Sequence, residues 1–167
     1  MSKTEKEKLF KETGKILKTR GFEIQDYDFN RPWGGFFVID EQQIQKFIDI
    51  YFDDKVGISD VNISGKLSPK ILLVEPGKRL SWQYHHRRAE VWQVLEGPVG
   101  VVRSMTDKQG EVQEYKSGDL ITVKKGERHR LVGLKNWGII AEIWQHVDAE
   151  NPSNEEDIVR LEDDFGR

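Results

Sequence analysis

From about residue 56 onward, short runs rich in Val, Ile, Leu and Trp alternate with turn signals, and no helical period lies between them. The turns are marked by Pro76-Gly77, Gly97-Pro98, Lys108-Gln109-Gly110, Ser117-Gly118-Asp119, Lys125-Gly126-Glu127 and Asn136-Trp137-Gly138. Spacing of this kind reads as an antiparallel sandwich or barrel. It predicts eight strands, at 70–75, 79–85, 90–95, 99–105, 111–116, 120–124, 129–134 and 138–146. The expected fold class is all-β.

The flanks carry a different period. Residues 3–20 place Leu9, Phe10, Thr13, Ile16 and Leu17 at helical spacing with lysines on the other faces, and Gly21 is a stop signal, though Gly14 weakens the pattern. Such a segment reads as a solvated helix docked on the barrel rather than as a membrane-surface helix. Residues 41–52 put Ile44, Phe47, Ile48 and Tyr51 on one face of a second short helix. Its acidic end, Asp53-Asp54, suits a helix C-terminus poorly. Ser153 to Glu156 has the form of a capping box opening a short C-terminal helix or turn. With no internal repeat or low-complexity linker, 1–167 is expected to be one domain. Its parts are a helical extension (1–55), a barrel (56–150) and a C-terminal segment (151–167).

At 167 residues the chain can bury a core without staples, and it has no cysteine for disulfides or thiolate ligands. A net charge of −3 gives no general pull toward nucleic acid. The N-terminus has no long apolar run, which argues against a signal peptide or membrane span and makes the cytoplasm the expected compartment.

The chemistry concentrates in two segments. Gln83, His85 and Glu90 lie between Gly77 and Gly97, and His129 lies at the end of Gly118–His129. Residues two apart on a strand share a side, so Gln83 and His85 both face the interior, while His86 points away. The four stand at spacings a small β-barrel uses to hold one divalent metal ion. Nitrogen and oxygen donors without sulfur suit zinc, the ion expected first, and also manganese, iron, cobalt or nickel. Gln83 adds no charge, so Glu90 alone offsets the dication.

These two segments resemble the two-part signature of the cupin superfamily, with Gln where the first motif usually opens on His. The resemblance implies the cupin jelly roll (a double-stranded β-helix) and the ligand set Gln83, His85, Glu90 and His129. A closer likeness is carried by Arg31-Pro32-Trp33-Gly34, by Pro76–Trp92 and by Asp157–Arg167, which look like type II mannose-6-phosphate isomerase, here free-standing. The chain departs from that family at Arg87, Val91, Lys124 and Gly133, where His, His, Pro and Asn are usual.

That likeness implies aldose–ketose isomerisation of a phosphosugar, mannose 6-phosphate/fructose 6-phosphate, through an enediol. Such chemistry needs a base, for which Lys124, Glu127 and His86 are candidates. It also needs cationic anchors for phosphate: Arg87, Arg88, Arg130 and Arg160 first, with Arg31 and Arg167 behind them. Trp33 or Trp92 could stack on a sugar, although barrel packing is the commoner fate of such residues. The expected partners are a sugar or sugar phosphate and a second copy in a homodimer, with no nucleic acid and no membrane. Two other readings stay open at this point: a metal-dependent cupin oxygenase and a non-catalytic sugar-binding cupin.

Overall fold

The computed structural model describes residues 3–52, 66–147 and 150–165. Helix α1 (Lys3–Thr19) leads into a hairpin of β1 (Ile24–Arg31) and β2 (Gly34–Ile39). A 3-10 turn (Glu41–Gln43) and helix α2 (Ile44–Tyr51) follow. The barrel strands are β3 (Lys70–Val74), β4 (Trp82–Tyr84), β5 (Arg88–Glu96), β6 (Val99–Ser104), β7 (Gln113–Tyr115), β8 (Leu120–Val123), β9 (Arg128–Gly133) and β10 (Gly138–His146). Strand β11 (Val159–Glu162) ends the described chain. All pairings are antiparallel, in one sheet ordered β1-β2-β3-β10-β5-β8 and another ordered β11-β4-β9-β6-β7.

This is the two-sheet jelly roll expected from the sequence, with all eight expected strands present. The alternation of the strands builds two cores. Leu72, Val74, Trp92, Val94, Val101, Ile121, Leu131 and Ile140, from both sheets, fill the space between them. Ile71, Leu73, Val91, Ile139, Ala141 and Ile143 turn the other way, onto Phe10 and Leu17 of α1 and Phe47 and Ile48 of α2. Strand β3 is buried on both faces and serves both cores.

Helix α1 ends where Gly21 was expected to stop it: Gly21 N–H donates to Lys18 O and Phe22 N–H to Leu17 O. Of its predicted face, Phe10, Thr13 and Leu17 are buried, but Ile16 is exposed.

One expectation is corrected and another is narrowed. The stretch 1–55 is not wholly helical, because residues 24–39 form the β1–β2 hairpin that extends the larger sheet through β3. Polar, edge-facing β1 (IQDYDFNR) carries almost no apolar alternation, so its pairing cannot be read locally. Its turn depends on Gly34, at φ +146, where a Cβ would lie 2.0 Å from Leu73 O.

Of the helix or turn expected at Ser153–Glu156, the turn forms, and the described C-terminal residues hold no helix. A turn at 155–156 leads into β11, which pairs Val159 with Tyr84 and Arg160 with Gln83. Ser153 Oγ is committed to Asp157 rather than to a helix cap, and the edge of β4 takes up the chain instead. Asp53-Asp54, Arg167 and the start of the expected barrel at 56–65 lie outside the described residues. Among the described residues, no helix is long and apolar enough to cross a membrane.

Candidate metal centre

Strands β4, β5 and β9 bring the candidate metal-ligating side chains together. Gln83 on β4 is the direct cross-strand partner of His129 on β9, and His85 follows β4 immediately. The two-residue turn at His86-Arg87 resets the strand phase, so β5 opens with Arg88 and Glu90 directed into the barrel with Trp92. The next turn, at Lys124–Glu127, needs Gly126 at φ +79 and fastens to the first motif, Gly126 N–H donating to His85 O at 3.1 Å.

Glu90 Oε2 lies 3.6 Å from His85 Nε2 and 3.7 Å from His129 Nε2. All three side chains are buried, and their candidate ligand atoms fall within 4.8 Å of one another. Tetrahedral donors about 2.1 Å from an ion would stand ~3.4 Å apart, so both Glu90–imidazole separations are close to the required spacing.

The imidazoles are also set in the right tautomer. His85 Nδ1 is 2.7 Å from Asp157 O and His129 Nδ1 is 3.0 Å from Glu127 O. A carbonyl only accepts, so each Nδ1 carries the proton and each Nε2 offers its lone pair. Glu90 Oε2 is buried without a hydrogen-bond partner among the described residues, the condition expected of an oxygen reserved for a cation. Burial lowers the His85 pKa to about 4 and keeps the ring neutral. Burial works against the Glu90 carboxylate, but nearby Arg88 and the two imidazoles hold its pKa below the usual range. These residues can hold a divalent ion. Gln83 lies in the cavity wall, and its amide nitrogen donates to Ser81 O at 3.4 Å.

Asp157 braces this arrangement from the C-terminal segment. Its carboxylate accepts the N–H groups of His86 and Arg87, each at 2.9 Å, and the Ser153 hydroxyl at 2.6 Å. Burial opposes the charge, yet these donors bring the pKa down to about 2. Nothing in the local pattern around Asp157 marks it for this role.

A cavity of about 100 Å³ of water-accessible space opens beside Glu90 and His129. Arg31, Lys70, Arg88 and Arg160 supply its cations, and Trp33, Trp92 and Trp144 form aromatic wall. Of the expected anchors, Arg88, Arg160 and Arg31 line the cavity. Arg87 sits in the ligand turn outside the cavity lining. Arg130 faces away from the cavity, its guanidinium held by Leu80 O (2.8 Å), Glu162 O (3.1 Å) and Gln109 Oε1 (3.3 Å).

None of the three candidate bases lines the cavity. His86 and Lys124 are exposed, and Glu127 caps its own turn by accepting Lys124 N–H at 2.9 Å. Two residues the sequence reading passed over stand in the wall instead. Lys70 reaches Glu155 at 2.5 Å and lies over the Trp144 ring at 3.9 Å. Glu142 accepts indole N–H bonds from Trp144 at 2.7 Å and Trp92 at 3.0 Å. Burial, reinforced by the charge of Glu90, pushes its pKa up to about 8. A lone acid inside the apolar run Gly138–Trp144 was the available signal.

A family model described as mannose-6-phosphate isomerase C-terminal matches residues 57–163. Xanthan biosynthesis protein XanB of Xanthomonas campestris pv. campestris is 31% identical over 137 residues, which cover 82% of this chain and 23% of that protein. Alginate biosynthesis protein AlgA of Pseudomonas aeruginosa is 36% identical over 107 residues, covering 64% and 21%. The chain thus spans less than a quarter of the length of these relatives. A sugar phosphate isomerase of the cupin superfamily from Silicibacter pomeroyi superposes with a TM-score of 0.42 at 18% identity, over 48% of this chain and 50% of that one. On the extent of the family match, this chain belongs to the mannose-6-phosphate isomerase C-terminal family.

Proposed function

We propose that the domain is a metal-dependent aldose–ketose isomerase acting on a phosphosugar, with mannose 6-phosphate and fructose 6-phosphate as the pair and an enediol between them. One observation carries the reading: a buried trio that could hold a metal ion opens on a cavity walled by four cationic side chains. Arg31, Lys70, Arg88 and Arg160 outnumber the charged acids Glu90 and Glu155, since Glu142 keeps its proton near neutral pH. That balance suits an anionic sugar better than a neutral one. The family match supports the same substrate class.

A bound divalent ion, zinc being the first to try, would supply Lewis-acid stabilisation at the sugar oxygens. The chain's own residues account for the rest. Arg160 and Arg31 anchor the phosphate with guanidinium donors. The carboxylate form of Glu142, the minor form near neutral pH, takes the proton from one sugar carbon and, once protonated, returns it to the other. Its burial stabilises the acid, while two indole donors receive the carboxylate once the proton has left. Lys70, above Trp144, places a further cation beside that exchange.

Metal analysis of the purified protein, coupled to a mannose 6-phosphate/fructose 6-phosphate assay, tests the reading. Glu90→Gln and His129→Ala should each lose both bound metal and turnover while keeping the circular dichroism of the barrel. Stoichiometric metal retained in both variants would contradict the ligand assignment. Oxygen consumption with a small acid, and no action on the sugar phosphate, would point to an oxygenase. Sugar binding without solvent deuterium entering the substrate would mark a non-catalytic binder. A homodimer in the cytoplasm completes the proposal, and sedimentation velocity reads the oligomeric state.

A further inference from the structure

Arg88 does more than line the cavity. Its Nη2 lies 3.2 Å from His85 Nε2 and its Nε lies 3.7 Å from Glu90 Oε2, so the guanidinium reaches two of the three atoms that face the ion position. A guanidinium has only donors. Because Asp157 O fixes the His85 proton on Nδ1, the Arg88 contact must use the single lone pair on Nε2. One lone pair serves one partner, and a metal ion needs the same one.

The rest of the side chain is fastened elsewhere. The guanidinium carbon lies 3.5 Å from the centroid of the Trp144 ring, and Nη1 donates to Ser153 Oγ and Asn154 O, each at 3.1 Å. Its Nε is buried with no hydrogen-bond acceptor among the described residues. One end of the fork is therefore anchored, while the end toward the ligands is incompletely satisfied.

We propose that Arg88 is a resident counter-cation that competes with the divalent ion for His85 and Glu90, so that metal binding releases its Nη2 end to an anionic ligand in the cavity. This inference rests on the metal site of the isomerase reading. It makes metal and phosphate mutually reinforcing, since the ion frees the donor that the phosphate takes up.

The test compares Zn²⁺ affinity in the wild type and Arg88→Met, measured against a chromophoric chelator. Methionine keeps an unbranched stem against Trp144 and removes the charge and the donors. The variant should bind Zn²⁺ at least tenfold tighter, and equal or weaker binding overturns the proposal. Inorganic phosphate should tighten Zn²⁺ binding in the wild type and have little effect in Arg88→Met. An equal phosphate effect in both also overturns it.

A measurement on unaltered protein guards against misfolding of the variant. In ¹⁵N spectra, added Zn²⁺ should move the His85 and His129 Nε2 signals together with the Arg88 side-chain resonance. A stationary Arg88 signal beside a shifted His85 rules out competition. No Zn²⁺ binding in either protein would instead remove the metal site, and the isomerase reading with it.

Discussion

Glu142 shows how an enclosure tunes a single carboxyl group. Its ordinary pKa near 4.5 rises to about 8 because burial penalises the charged form, with Glu90 adding repulsion. The folded state therefore holds this proton more tightly than the unfolded chain does. Its contribution to stability is fully present below pH 4.5 and is lost as pH rises through about 8. In urea titrations, Glu142→Gln should flatten the decline in stability of the wild type across that window. If Glu142 carries the proton, the same variant should retain Zn²⁺ while turnover falls about 10²–10⁴-fold. Unchanged turnover would return the search to other groups. Asp157 has the opposite sign. Its depressed pKa gives stability present above pH 3.8 and lost as pH falls through about 2. Asp157→Asn should therefore lose less stability than the wild type over the acid limb, although it starts lower.

Among the elements, the helical coat has the clearest energetic role. Phe10 of α1 is buried against Phe29, Phe37 and Trp137, with ring centroids 4.6, 6.0 and 6.0 Å away. Phe10→Ala should cost about 3–5 kcal/mol, read as a lowered denaturation midpoint. Most elements were legible before any coordinates. Most of strands β3 to β10 announce themselves through apolar runs and turn residues, polar β7 through its flanking turns alone, and both helices through their 3.6-residue period. Strands β1 and β11 do not, because an edge strand with exposed Gln25, Asp26 and Tyr27, or with Arg160 and Glu162, lacks the alternation that marks a buried face. The same limit applies to the site. Gln83, His85, Glu90 and His129 were found because their spacings form a pattern. Lys70, Glu142 and Asp157 arrive from β3, β10 and the C-terminal turn, and only folding brings them to one place.

Across the whole molecule, the charge of one cavity differs in sign from that of the chain. The chain is net acidic at −3, yet four cationic side chains wall one small cavity. A phosphosugar would meet these cations on a chain of net negative charge, so its apparent affinity should depend on salt. Raising ionic strength toward 1 M, where the Debye length is about 3 Å, should raise KM for mannose 6-phosphate and leave kcat nearly unchanged. A KM insensitive to salt would argue for recognition through neutral hydroxyl contacts instead.

Strand β3 has a further consequence. Ile71 and Leu73 press on the helices while Lys70 and Leu72 border the cavity, so neighbouring positions on one backbone answer to separate surroundings. A register disturbance begun beneath α1 would reach the Lys70 ammonium within one peptide unit. The helical layer and the cavity thus share one strand, and a substitution beneath α1 should change the assayed sugar phosphate turnover without touching a candidate ligand.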